Sequence, residues 1–231
     1  MTKSSPPPVV RAFTLIELLV VMAIILGLAA ILIPSLRSAL ESAKATKDLS
    51  NLRQIGALIQ TYLNDKDGIL PVITADPGIG KDTSPVIYPK YVGSRRVFQS
   101  PFDKRAADET NSAPVSYGIN QNMYASPGIA GNMTKVVSPS ATILMAPNYS
   151  GPPADSGSWT SKAAAAPYVV NLVPGGGAGM TTGTHKSGRQ INALFCDLHV
   201  ETMTFGPSSV LGSFQDFQSD PLGQKHWDPT K

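Results

Sequence analysis

The chain has 231 residues, a formal net charge of +3 and one cysteine. The charge is too small and too scattered for a nucleic-acid surface, and a lone Cys196 excludes an intrachain disulfide. Twenty glycines and twenty prolines point to a loop-rich globular part.

Residues 1–12 hold Lys3, Arg11 and the run Pro6-Pro7-Pro8, and no structure is expected there. Residues 11–36 are RAFTLIELLVVMAIILGLAAILIPSL, apolar from Leu15 to Ile33 except for Glu17. At about 1.5 Å per residue such a helix spans a hydrocarbon core of about 30 Å. A carboxylate inside it costs about 2.5–3.5 kcal/mol on insertion scales. Two explanations compete. Glu17 either snorkels to the interface one turn away or pairs with a group from outside, since the segment supplies no partner of its own. The run is too long for an ordinary secretory signal.

Pro34 lacks an N–H, so it should kink the helix rather than end it. Leu36, Leu40 and Ala43 carry the pattern onward, and Leu49, Leu52, Ile55, Ile59 and Tyr62 form the expected apolar stripe. Lys44, Lys47, Asp48, Arg53 and Gln60 are read as polar positions. Asn64-Asp65-Lys66-Asp67-Gly68 supplies a stop, with Gly68 suited to a left-handed cap. One helix over residues 13–64 would be about 75 Å long if straight.

Strands are expected at 86–88, 96–99, 115–119 and, more strongly, 141–146. Residues 147–184 read as an extended loop. Two β-prone runs, 190–196 and 199–205, read as a hairpin joined by Asp197-Leu198. A two-residue type I′ turn needs positive φ at both central positions, which a leucine resists, so a longer loop is expected. The tail, 206–231, has no periodicity. The fold class is therefore α+β: a long N-terminal helix, apolar then amphipathic, packed on a small antiparallel sheet.

Arg11-Ala12-Phe13-Thr14-Leu15-Ile16-Glu17-Leu18-Leu19 resembles the processing site of type IV pilins and type II secretion pseudopilins. The resemblance implies cleavage between Ala12 and Phe13 by a prepilin peptidase, then methylation of the Phe13 amine by the same enzyme. It also implies that Glu17 neutralises the amine of a neighbouring subunit during assembly. Ala12 replaces the usual glycine, and Pro34 sits where pilins often carry a kinking proline. Asn51-Leu52-Arg53-Gln54-Ile55-Gly56, followed by Tyr62-Leu63-Asn64-Asp65, Gly68 and Pro71, is similar to the stem-to-head junction of a large pilin-like family. Ser116-Tyr117-Gly118-Ile119-Asn120 also fits it. That family ends in a segment known as the H-X9-DG domain, matched here by His185-Lys186-Ser187-Gly188 and 192–200, NALFCDLHV. Leu198 replaces the glycine of its Asp-Gly turn. Ser100-Pro101-Phe102-Asp103 stands where relatives often have Cys-Pro-x-Asp, so a disulfide common in the family should be absent.

Residues 1–12 are thus read as a leader, 13–36 as a transmembrane and assembly helix, and 37–231 as a pilin-like head that includes the amphipathic half-helix 37–64. The expected function is structural and non-enzymatic: a subunit of a type IV pilus-like filament or type II secretion pseudopilus. Its partners would be the prepilin peptidase, copies of itself and other pilin-like subunits. The resemblance places it in a bacterial inner membrane with its head outside the cytoplasm. The Lys and Arg count favours the reverse orientation, with Lys3 and Arg11 before the span against Arg37, Lys44, Lys47 and Arg53 after it. The alternative is a single-pass protein whose head binds a ligand without polymerising.

No cofactor is expected. His185, Asp197 and His199 come nearest to a metal set, because Asp197 and His199 would share a strand face. The plainer reading is a turn carboxylate accepting backbone N–H groups with a histidine beside it. Asp65-Lys66-Asp67-Gly68 lacks the later acidic positions of a calcium loop and reads as a helix stop. Asp216, Asp220 and Asp228 are the remaining calcium candidates, by analogy with the C-terminal loop of major pseudopilins. Gly-x-Ser-x-Gly, His-Glu-x-x-His and zinc-type Cys/His spacings are absent from the sequence. Cys196 is read as a small buried apolar residue.

Overall fold

The computed structural model describes residues 13–70, 91, 93–106, 114–120, 122–126, 128–147, 168–169, 183–206, 212, 223 and 225–231. The chain divides into two units, Met1–Ser42 and Ala43–Lys231. Helix α1 covers Leu15–Asp65 with Pro34 inside it. In the first unit every large apolar side chain of residues 13–40 is exposed. By length and composition, α1 is the one helix among the described residues able to cross a membrane.

In the second unit, α1 ends as its sequence dictates. Asp67 and Gly68 both take positive φ, 52° and 76°. The Gly68 N–H then donates to the Leu63 carbonyl at 2.9 Å, closing the last turn. The buried side chains of α1 are Asp48, Asn51, Leu52, Ile55, Ile59 and Leu63. This corrects the expected stripe at both ends. Leu49 and Tyr62 are only partly buried, and Asp48, read as a polar position, is fully buried. Positions 48, 52, 55 and 59 are spaced by four, three and four, so Asp48 lies on the packing face itself.

The sheet runs β3-β1-β2-β4-β5. Its strands are β1 (Tyr117–Asn120), β2 (Ile143–Pro147), β3 (Tyr168–Val169), β4 (Gln190–Phe195) and β5 (Val200–Thr204). Four strands pair antiparallel; β3, inside the segment read as loop, adds two residues parallel to β1. The expected strand at 96–99 is instead a 3₁₀ turn, Arg95–Phe98, capped by the Ser94 hydroxyl. The expected strand at 86–88 lies outside the described residues.

Both sheet faces are covered, which is why β2 reads as a continuous apolar run and β4, after Gln190, as one broken only by Asn192. On one face Leu144, Met145 and Leu194 join Leu52, Ile55 and Ile59 of α1. On the other, Ile143, Ala146, Ile191, Ala193 and Phe195 pack with Met203, Phe205 and Trp227. Leu194 and Phe195 serve opposite faces, as successive residues of a regular strand do, and only Leu194 faces the helix cluster. The β2–β4 register shifts between Ile143 and Met145, and the Ile143 N–H turns to the His226 carbonyl at 2.7 Å. That bond ties the C-terminal residues to the sheet.

Candidate functional site

The N-terminal site begins with Thr14 and Glu17. The Thr14 N–H and hydroxyl donate to Glu17 Oε2 at 2.9 and 2.7 Å, and the Glu17 N–H donates to Thr14 Oγ1 at 3.3 Å. Thr-x-x-Glu at a helix start is a reciprocal capping box, and it places the carboxylate at the positive end of the helix dipole. The expectation that this segment supplies no partner for Glu17 is thus corrected: Thr14 is one. Phe13 is 79% exposed. Ala12 lies outside the described residues. Pro34, read as a kink site, does not end α1.

The hairpin carries the other candidates, and it does not bring them together. His185 precedes β4, whereas Asp197 and His199 follow it. Six strand residues separate the two groups by about 17 Å. His199 Nδ1 lies 2.5 Å from Asp197 Oδ1, its backbone N–H reaches the same oxygen at 3.2 Å, and its ring stacks on Phe195 at 4.4 Å. Glu201 Oε2 is 3.7 Å from the other ring nitrogen. This matches the turn-carboxylate reading. His185 is buried, stacked on Phe102 at 5.1 Å, with Nδ1 2.9 Å from the Thr184 hydroxyl. Among the described residues, no three His, Cys, Asp or Glu side chains converge on one point.

The β4–β5 connection explains Leu198. The Leu198 N–H donates to the Phe195 carbonyl and the Phe195 N–H to the His199 carbonyl, both at 2.9 Å, and Leu198 has φ +70°. This is a three-residue loop, a type I turn closed by one left-handed residue. It is the expected loop longer than two residues. The leucine nonetheless occupies the left-handed position, where a glycine would be relaxed.

The calcium candidates have other engagements. Asp65 accepts from the Tyr91 hydroxyl at 2.8 Å, and Asp67 belongs to the helix stop. Asp228 accepts from the Thr230 N–H at 3.0 Å and hydroxyl at 2.6 Å, with Lys231 Nζ at 3.1 Å. Burial works to raise its pKa, but these hydrogen bonds and the Lys231 charge outweigh it and hold the carboxyl below the usual aspartate value. Asp216 and Asp220 lie outside the described residues. Cys196 is a buried free thiol whose Sγ lies 3.7 Å from Met123 Sδ. Burial, then the nearby Asp197 charge, push its pKa up to about 12.

Sequence reasoning missed the polar cluster under α1. Ser100 and Tyr117 donate their hydroxyl hydrogens to Asp48 Oδ1 at 2.5 and 2.6 Å, and Asn192 Nδ2 donates to Oδ2 at 2.8 Å. Asn192 also reaches the Ala45 carbonyl at 3.1 Å, and Asn51 reaches the Gln99 carbonyl at 3.0 Å. Ser100 thus serves as a donor, in the place where the resemblance to pilin-like proteins implies a cysteine. The available signal was Asp48 in phase with Leu52 and Ile55. No protein-family model matches the chain, and no curated protein or solved structure is significantly similar to it.

Proposed function

We propose that this chain is a pilin-like or pseudopilin-like subunit, anchored in a bacterial inner membrane by residues 13–36 and carrying its head outside the cytoplasm. The observation that supports this best is the two-part character of α1. Its first part exposes apolar side chains on every side, and its second buries one stripe in the head. A peptide helix with that surface belongs in lipid or in a bundle of its own kind. Phe13-Thr14-Leu15-Ile16-Glu17 at its start adds the processing motif. In this reading the leader is removed before Phe13, the new amine is methylated, and stems pack together as subunits leave the bilayer. The role is structural, not catalytic.

Mass spectrometry of the N-terminal peptide from membrane-extracted protein tests the proposal. The expected species starts at N-methylated Phe13. An uncut leader, or a mature start beyond residue 33, would overturn it.

One observation favours the second reading, a single-pass protein that does not polymerise. The Thr14 capping box gives Glu17 hydrogen bonds without a neighbour's amine. Crosslinking through engineered cysteines in the stem separates the two: ladders of subunits support the filament, and monomers alone support the second reading.

A further inference from the structure

Asp48 is fully buried, four residues before Leu52 on the packing face of α1. Its three donors come from three places in the head: Ser100 after the 3₁₀ turn, Tyr117 on β1 and Asn192 on β4. No cation pairs with it among the described residues. On α1 itself Lys44, Lys47 and Arg53 are exposed. On the Ser100 segment Asp103 is buried too, but Arg105 holds it, with Nη2 at 2.6 Å and Nε at 3.1 and 3.0 Å from its two oxygens. Ser116 links the two halves, donating to Asp103 at 2.7 Å and accepting from the Ser100 N–H at 2.9 Å. Arg95 and Arg96 lie on the 3₁₀ turn, the first buried and the second exposed. Tyr117 is the ionisable group on β1, β2 and β4 carry none, and Glu201 on β5 is exposed. One buried carboxylate therefore has its counter-charge and the other does not.

We propose that Asp48 is a proton-operated clamp between α1 and the sheet, one that grips the head's helix more firmly in acid than at neutral or alkaline pH. Ionised, the carboxylate accepts three hydrogen bonds but leaves a charge in an apolar interior. A proton taken up on Oδ1 removes that charge at little cost in bonding. The Ser100 hydroxyl turns from donor to acceptor, while Tyr117 and Asn192 keep their bonds. The geometry thus serves both protonation states, and burial decides between them.

Burial raises the Asp48 pKa above the ordinary 3.8, and the hydrogen bonds from Ser100, Tyr117 and Asn192 pull it back only in part. The folded state therefore binds the proton more tightly than the unfolded chain. The stabilisation is complete below pH 3.8 and is lost as the pH rises through the folded-state value.

The test uses the full chain in detergent micelles, with aspartate carboxyl carbons labelled for NMR. One carboxyl resonance should titrate above the ordinary range and vanish in Asp48→Asn. Tyr117→Phe removes a bond that favours the ionised form, so its midpoint should move to higher pH; a purely structural tyrosine would leave the midpoint in place. The thermal midpoint should rise on acidification over the same interval. If Asp48→Asn does not fold, the Tyr117→Phe shift still identifies the resonance. A carboxyl at Asp48 that titrates at or below the usual aspartate value overturns the clamp. So does a thermal midpoint indifferent to pH while Asp48 titrates.

Discussion

Gly56 of α1 and Leu194 of β4 meet so closely that a methyl group on the glycine would stand 3.1 Å from Cδ1 of the leucine. The carbonyl of Leu198 is 3.5 Å from the same point. Gly56→Ala gains about 1 kcal/mol of helix propensity, set against a contact that the leucine end can relieve by a small rotation. Its stability should stay within about 1 kcal/mol of the parent. Gly56→Val should lose about 1–3 kcal/mol by overpacking. Leu52→Ala, at a fully buried site on the same face, should lose about 2–5 kcal/mol. Denaturant unfolding in micelles measures all three, and equal stability of the alanine and valine variants of Gly56 would refute the close approach.

Leu198 combines a left-handed backbone with a side chain half-buried against the helix-side core. The conformation costs an L-residue about 1–2 kcal/mol, and full burial of a leucine is worth about 1.5–3 kcal/mol. Leu198→Gly trades one for the other and should be near neutral. Leu198→Val keeps most of the bulk but branches at Cβ, so it should be the least stable of the three. A valine variant as stable as the parent would mean that the turn is not left-handed there.

Glu17→Val should leave membrane insertion intact, because it makes the stem more apolar. Filament assembly should fall if the carboxylate meets a neighbour's amine. Thr14→Val is the matching control, since it breaks the capping box and keeps the charge. Carbonate extraction reports insertion and stem crosslinking reports assembly. Normal assembly of Glu17→Val sinks the pairing role, whereas equal loss in both variants assigns the defect to the helix end.

Cys196 should resist a disulfide-exchange reagent at pH 8 in the folded protein. With its pKa pushed up to about 12, almost no thiolate exists there, and the side chain is buried as well. Reaction should become rapid and complete in denaturant. Rapid labelling without denaturant would show that the hairpin end opens.

The long helix was legible because its apolar pattern and its stop are local signals. Sequence placed it at 13–64, and it spans Leu15–Asp65. The hairpin was legible from two β-prone runs, and 141–146 lies almost on β2. What failed needed tertiary knowledge. Asp48 looks like a surface charge until Ser100, Tyr117 and Asn192, distant in sequence, are folded onto it. Residues 96–99 have strand-like composition, but the Ser94 cap turns them into 3₁₀ geometry. The Glu17 partner was legible as Thr-x-x-Glu, but this capping signature overlaps the start of the apolar run, where the carboxylate reads as a charge inside a membrane span. His185 and His199 looked like companions only because the length of β4 lies hidden between them.

Trp227 and Phe195 share the sheet face opposite α1. Trp227 is the last of these core residues along the chain, so it joins a face whose strands all precede it. Without it, the apolar face formed by Ile143, Ala193 and Phe195 lacks its largest covering side chain. A tag or truncation that disturbs the final residues would leave an adhesive apolar face, even with every other element in place.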